Sequence, residues 1–140
     1  MPRRKRSERA FTLIEIMVVC AIIALLAAIV VPRIMHRMDE ARASTTAVQI
    51  RELETAIDFF KMDNGFYPAS LEDLVRRPAA VKKWPPEGYL KEIPKDPWGN
   101  DYVYIYPGTH GAYDLVSYGA DGREGGENEN ADITNYPTAK

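Results

Sequence analysis

One cysteine and two histidines in 140 residues leave little room for several kinds of chemistry. Cys20 lies inside an apolar run, so no intrachain disulfide can form, and a thiolate nucleophile there would be stripped of water. It reads as an apolar filler. His36 and His110 stand far apart in sequence, and neither has the cysteine or Glu-x-x-His neighbours that zinc uses. Ser44, Thr45 and Thr46 fall in a helical stretch without the strained turn that exposes a hydrolase nucleophile. The chain is therefore read as no enzyme. Internal repeats and low-complexity tracts are also lacking, which excludes solenoid and array architectures.

Basic charge is concentrated in one place. The formal net charge is -2, but Met1 to Ala10 holds Arg3, Arg4, Lys5, Arg6 and Arg9 against Glu8 alone. The remainder carries 13 basic and 19 acidic side chains, a formal charge of -6. No aromatic and basic surface pattern follows the tail, so nucleic acid is excluded as a partner and the tail is read as a topology signal.

What is there, directly behind that tail, is an apolar run. From Phe11 to Val31 the only charged side chain is Glu15. As a helix rising about 1.5 Å per residue, this run spans about 31 Å, the thickness of a hydrocarbon core. Basic residues ahead of it place the N-terminus in the cytoplasm by the positive-inside rule, with the rest across the membrane. A cleaved secretory signal fits poorly, because its apolar region spans only about 7 to 15 residues and just a weak Ala-x-Ala-like site, Ala41 to Ala43, follows. An ordinary anchor leaves Glu15 unexplained, since a carboxylate in the bilayer costs at least about 2.5 kcal/mol. Snorkelling to the headgroup layer, four residues in from Phe11, is the simplest alternative for it.

The stretch "AFTLIEIMVV" resembles the processing signal of type IV pilins and pseudopilins. That resemblance implies a cleaved leader, residues 1–10, cut by a prepilin peptidase between Ala10 and Phe11. It also implies methylation of the new Phe11 amine to N-methylphenylalanine and a retained transmembrane and assembly helix over 11–31. The family usually has glycine where this chain has Ala10. Cleavage gives Glu15 a purpose, because the Phe11 amine of one copy and the Glu15 carboxylate of another neutralise each other in a low dielectric and set the stagger of neighbours.

Beyond the run, Pro32 removes a helical donor and loosens the helix, which continues over 32–63 as a stalk and then a packing segment. Ile50, Leu53, Ile57 and Phe60 recur at helical spacing and form a stripe for a sheet to cover. Asn64 and Gly65 end the helix. Residues 64–140 form the globular part. Ser70 caps a short helix, Leu71 to Arg77, with Leu71, Leu74 and Val75 inward. Tyr102 to Tyr106 and Ala112 to Ser117 read as antiparallel strands joined through "PGTHG", within a sheet of two or three strands. The tyrosines read as sheet packing, and "DPWGN" as a tight turn with Trp98 as its anchor.

The tail "SYGADGREGGENENADITNYP" offers hard oxygen donors among glycines. Calcium takes about six to eight such oxygens, so the loop reads either as a calcium site or as hydrated surface. "YPASLEDLV", "GYLKEIPKDPWGNDYVY" and "DLVSYGADGREGGENENADI" resemble the globular domain of type II secretion major pseudopilins, in the type IV pilin-like superfamily. With the N-terminal signal, the resemblance covers nearly the whole chain. It implies an α+β fold in which the long helix packs on a small antiparallel sheet with a C-terminal calcium loop. The calcium ligands it implies are the Asp121 carboxylate, the Tyr118 and Arg123 carbonyls, and oxygens of Asn128, Glu129 and Asp132, although the family often has a carboxylate where Asn128 stands.

The function implied is that of a structural subunit, self-assembling through its N-terminal helices into a periplasmic fibre that drives folded proteins through the outer membrane. The implied partners are further copies of the chain, minor pseudopilins and an inner-membrane assembly platform. The implied location is the bacterial inner membrane, single-pass, with a periplasmic domain. The alternative is a pilin of an adhesion or DNA-uptake pilus. Many of those close their C-terminal region with a disulfide that one cysteine cannot make.

Overall fold

Helix-forming residues run without a glycine from Leu13 to Asn64, and one helix, α1 (Leu13–Asn64), takes up all of them in a computed structural model that describes residues 11–137. Pro32 lies inside α1, which continues past it as the sequence predicts. The chain divides into two units, Met1–Arg37 and Met38–Lys140. In the described part of the first, every residue from Phe11 to Arg37 is exposed. Among the described residues, no other element of that unit covers them.

In the second unit the apolar stripe of α1 is buried. Ile50, Leu53, Ala56, Ile57 and Phe60 join Leu71, Leu74, Val81, Tyr102, Tyr113 and Leu115 in one core. Phe60 is fully buried, with Phe66 edge-on at 5.7 Å and Tyr89 tilted at 5.3 Å between ring centroids. Burial of such a side chain contributes about 1.5–3 kcal/mol. Gly65 follows α1 at φ 83°, a conformation that suits glycine after a helix, and its N–H donates to the Lys61 carbonyl.

The expected helix from Leu71 to Arg77 is a single 3-10 turn, Leu71–Leu74. Four bonds to two acceptors account for its shortness. Asp73 folds back to accept the N–H groups of Ala69 and Ser70, while the Leu74 carbonyl accepts those of Tyr89 and Leu90 and is committed to the next loop. Leu71 and Leu74 are buried as expected, and Val75 is half-buried.

The sheet has three antiparallel strands in the order β1 (Val103–Ile105), β2 (Asp114–Ser117) and β3 (Ile133–Thr134). Val103 pairs with Val116 and Ile105 with Asp114, while Ser117 pairs with Ile133. β1 and β2 are shorter than predicted, and the third strand comes from the acidic tail itself, where the alternation is too brief to read. Tyrosines do pack the sheet. Tyr102 donates to Gln49 on α1 at 2.6 Å and Tyr104 to the Pro68 carbonyl at 3.0 Å. Burial pushes the Tyr102, Tyr104 and Tyr113 phenols upward, keeping them neutral.

Candidate functional site

Two places carry the residues singled out by sequence. At the first, Ala10 lies outside the described residues, Phe11 is exposed, and α1 opens two residues later. The Thr12 hydroxyl and carbonyl accept the Glu15 N–H at 3.3 and 3.1 Å, the pattern of an N-cap. Thr12 was not singled out from the sequence, although "TLIE" has the spacing of a capping box. Glu15 thus occupies the first turn of α1, where a carboxylate also complements the positive end of the helix dipole.

The second place is the acidic tail. Half-buried Tyr118 leaves β2 and leads into exposed Asp121, whose carboxylate accepts the Arg123 N–H at 3.1 Å. Asn128 stands at φ 56° and opens a 3-10 turn, Asn128–Asn130. The Glu129 carbonyl accepts the Ala120 N–H at 2.9 Å, while the Glu129 side chain belongs to an exposed residue. Asp132 then accepts the Gly125 N–H through one oxygen at 2.8 Å. Its other oxygen, Oδ1, is buried and has no hydrogen-bond partner. These bonds bring both ends of the loop together, 118–125 against 129–132. The side chains of Asp121, Glu129 and Asp132 do not form a carboxylate cluster: among the described residues no three His, Cys, Asp or Glu side chains gather as a metal group.

Whether these residues fit calcium is therefore a question of mixed donors. Calcium accepts main-chain carbonyl and amide oxygens beside carboxylates and tolerates flexible geometry, so a set of two or three acids with carbonyls is chemically adequate. A buried carboxylate oxygen without a donor costs free energy and calls for an explanation. A bound cation would meet that need.

The anchor of the "DPWGN" turn is Asp96, not Trp98. Asp96 is buried and accepts the N–H groups of Trp98 and Asn100 at 3.1 and 2.8 Å and the Ser117 hydroxyl at 2.7 Å. Trp98 is only half-buried, with its indole Nε1 unpartnered. An Asp followed by Pro is an ordinary turn opener. Only the tertiary contact with Ser117 reveals its larger role.

His110 has a structural place in the connection between β1 and β2. Its N–H and that of Thr109 donate to the buried carboxylate of Asp114, its Nδ1 lies 3.1 Å from the same group, and its ring stacks on Tyr136 at 3.8 Å. Burial pushes the Asp114 carboxyl up, but the hydrogen bonds from Thr109 and His110 outweigh it and hold the group at about 2.

Comparison with known proteins gives a consistent picture. Residues 33–136 match the family described as "Type II secretion system (T2SS), protein G", and residues 5–31 match the "Prokaryotic N-terminal methylation motif". The type II secretion system core protein G of Pseudomonas aeruginosa is 48% identical over 139 residues, which cover 95% of this chain and 98% of that protein. Its counterpart from Escherichia coli is 46% identical over 144 residues, covering 99% and 97%. Among solved structures, the major pseudopilin from the type 2 secretion system of enterohaemorrhagic Escherichia coli superposes with a TM-score of 0.63 at 32% identity, over 72% of this chain and 87% of that one.

Proposed function

We propose, because the chain belongs to the protein G family of the type II secretion system, that its two units divide one task between them. It is a structural pseudopilin subunit, anchored by one N-terminal membrane-spanning helix with a periplasmic globular domain, and it assembles by packing of those helices into a pseudopilus. The observation that carries the reading is the continuous exposed apolar surface of residues 16–31, which only lipid or other such helices can cover. Lipid serves before assembly and neighbouring helices serve after it.

In the finer reading, a prepilin peptidase cuts after Ala10 and methylates the Phe11 amine, and minor pseudopilins and an inner-membrane platform complete the machine. The Phe11 amine then meets Glu15 of a neighbouring copy. The growing fibre pushes folded proteins through an outer-membrane channel. Calcium occupies the acidic loop through Asp121, Asp132, the Tyr118 and Arg123 carbonyls, and oxygens of Asn128 and Glu129. The orphaned Oδ1 of Asp132 is what supports that ion. When bound, it would fasten the C-terminal loop, a closure that a disulfide cannot supply here. The relatives described above are type II secretion proteins, which favours this reading over an adhesion or DNA-uptake pilin.

The experiment removes the chain from its native host and restores it from a plasmid. Secretion should stop and return, and mass spectrometry of the restored protein should find a chain beginning at methylated Phe11. Undiminished secretion without the chain overturns the function, and a retained leader overturns the processing step alone.

A further inference from the structure

Two loops meet where the "DPWGN" turn faces the acidic tail. The Asp96 carboxylate fixes the turn from inside, through the Trp98 and Asn100 N–H groups, and ties it to the end of β2 through Ser117. The side chain of Asn100 is thereby left facing outward from the turn. Its amide donates to the Gly119 carbonyl at 2.8 Å, and a Cβ on Gly122 would lie 3.6 Å from it. Gly119 stands at φ 61°, and a Cβ there would come within 2.7 Å of the Glu129 carbonyl oxygen. The chain between Tyr118 and Asp121 therefore runs between Asn100 on one side and Glu129 on the other. Gripping a main chain from both sides removes conformations that a glycine-rich loop would otherwise sample.

We propose that Asn100, itself held by Asp96 and Ser117, is a positioning residue for the acidic loop, fixing the main chain at Gly119–Gly122 so that the flanking oxygens are arranged before a divalent cation arrives. The ligand half of this inference rests on the calcium reading above, whereas the grip on Gly119 does not. Asn100 acts through its side chain, while the turn itself is secured by the Asn100 main-chain N–H. Removing the side-chain amide therefore leaves the Asp96 bonds in place. Groups that orient metal ligands from outside the coordination sphere change affinity by about 10- to 100-fold when removed.

The test uses the full chain in detergent micelles, unsubstituted and as Asn100→Ala and Asn100→Ser. Serine keeps a turn-forming residue but is one atom too short to hold the Gly119 bond. Titration with calcium chloride should show affinity at least about tenfold weaker in both variants. Without calcium, both should melt close to the unsubstituted chain, while the Ala120 amide, bonded to Glu129, exchanges faster with deuterium. Affinity within twofold of the unsubstituted chain in either folded variant overturns the positioning role, as does unchanged exchange at Ala120. If the unsubstituted chain takes no calcium, the calcium reading falls by itself, and exchange at Ala120 still decides whether Asn100 holds the loop.

Discussion

Ile14, Ile22 and Leu25 are 65%, 53% and 68% exposed, whereas Ile50, Leu53 and Ile57 are 2% or less, although all six belong to α1. The residue types are the same. In the second unit one apolar stripe, Ile50 to Phe60, packs against the sheet and against Leu71, Leu74 and Val81, while Phe59 and Met62 stay exposed, so that unit finds its core within the chain. In the first unit apolar residues go all the way round, a pattern that belongs to a helix buried on every side. Its burial must come from outside the chain. One helix thus carries a folding surface and an assembly surface in succession, and substitutions in the two stretches should fail in different assays.

The largest effect is expected at Glu15. In a low-dielectric bundle, removing one member of a buried ion pair costs about 3–5 kcal/mol, because the other charge is left uncompensated. Repeated at every subunit contact, that cost is enough to prevent a fibre. Glu15→Leu should therefore insert into the membrane as well as the natural chain while sheared fibres and secretion disappear. Normal fibres from this variant would show that assembly does not depend on a charge pair at Glu15. Stability of the second unit, followed by denaturation in detergent, should not change.

The converse test lies in two adjacent phenylalanines. Phe60 is fully buried and Phe59 is 54% exposed. Phe60→Ala should lower the unfolding free energy of the second unit by about 3–5 kcal/mol, the cost of the lost burial plus the cavity left behind. Phe59→Ala should change it by less than about 0.5 kcal/mol. Equal losses in a denaturant titration would mean that the outward face of α1 is covered within the chain after all.

This contrast also explains what could be read from the sequence. The stripe at Ile50, Leu53, Ile57 and Phe60 follows from local periodicity, and the end at Gly65 from the backbone preference of one residue. Both survive in the structure. Asp96 and Asp114 were not recognised as buried, because a carboxylate is normally solvated and their burial depends on donors brought by folding: Ser117 for one, Thr109 and His110 for the other. β3 was missed because its two residues pair only when the tail returns to β2. At the acidic loop, residue types were legible but the orphaned oxygen of Asp132 was not.

A smaller effect is expected from chelation, which should touch the second unit alone. An ion that binds only the folded chain stabilises it by about 2.7 kcal/mol at a hundredfold excess over its dissociation constant. Adding a chelator should lower the melting temperature of the natural chain, and Asp132→Asn should melt at the same temperature with or without calcium. An unaltered melting curve for the natural chain would reduce the loop to hydrated surface. The exposed helix of the first unit provides the internal control, since its helicity should not respond.

The smallest effect is set by acid at the connection between β1 and β2. The folded Asp114 carboxyl is held at about 2, below its ordinary value, so its hydrogen bonds stabilise the fold fully above the ordinary carboxylate range. That contribution fades as the pH falls from about 4 toward about 2, because the carboxylate of the unfolded chain takes up its proton across that range, whereas the folded one, held by the bonds from Thr109 and His110, stays charged until about 2. Replacing the charged acceptor with a neutral amide should cost on the order of 1 kcal/mol at neutral pH. The stability difference between the natural chain and Asp114→Asn should therefore be greatest near neutral pH and shrink below about pH 4. A difference that persists unchanged at pH 2 would mean that packing, rather than charge, holds Asp114 in place. Residues 13–37 contain no counterpart to this buried carboxylate, because their only acid, Glu15, stands on the exposed first turn of α1.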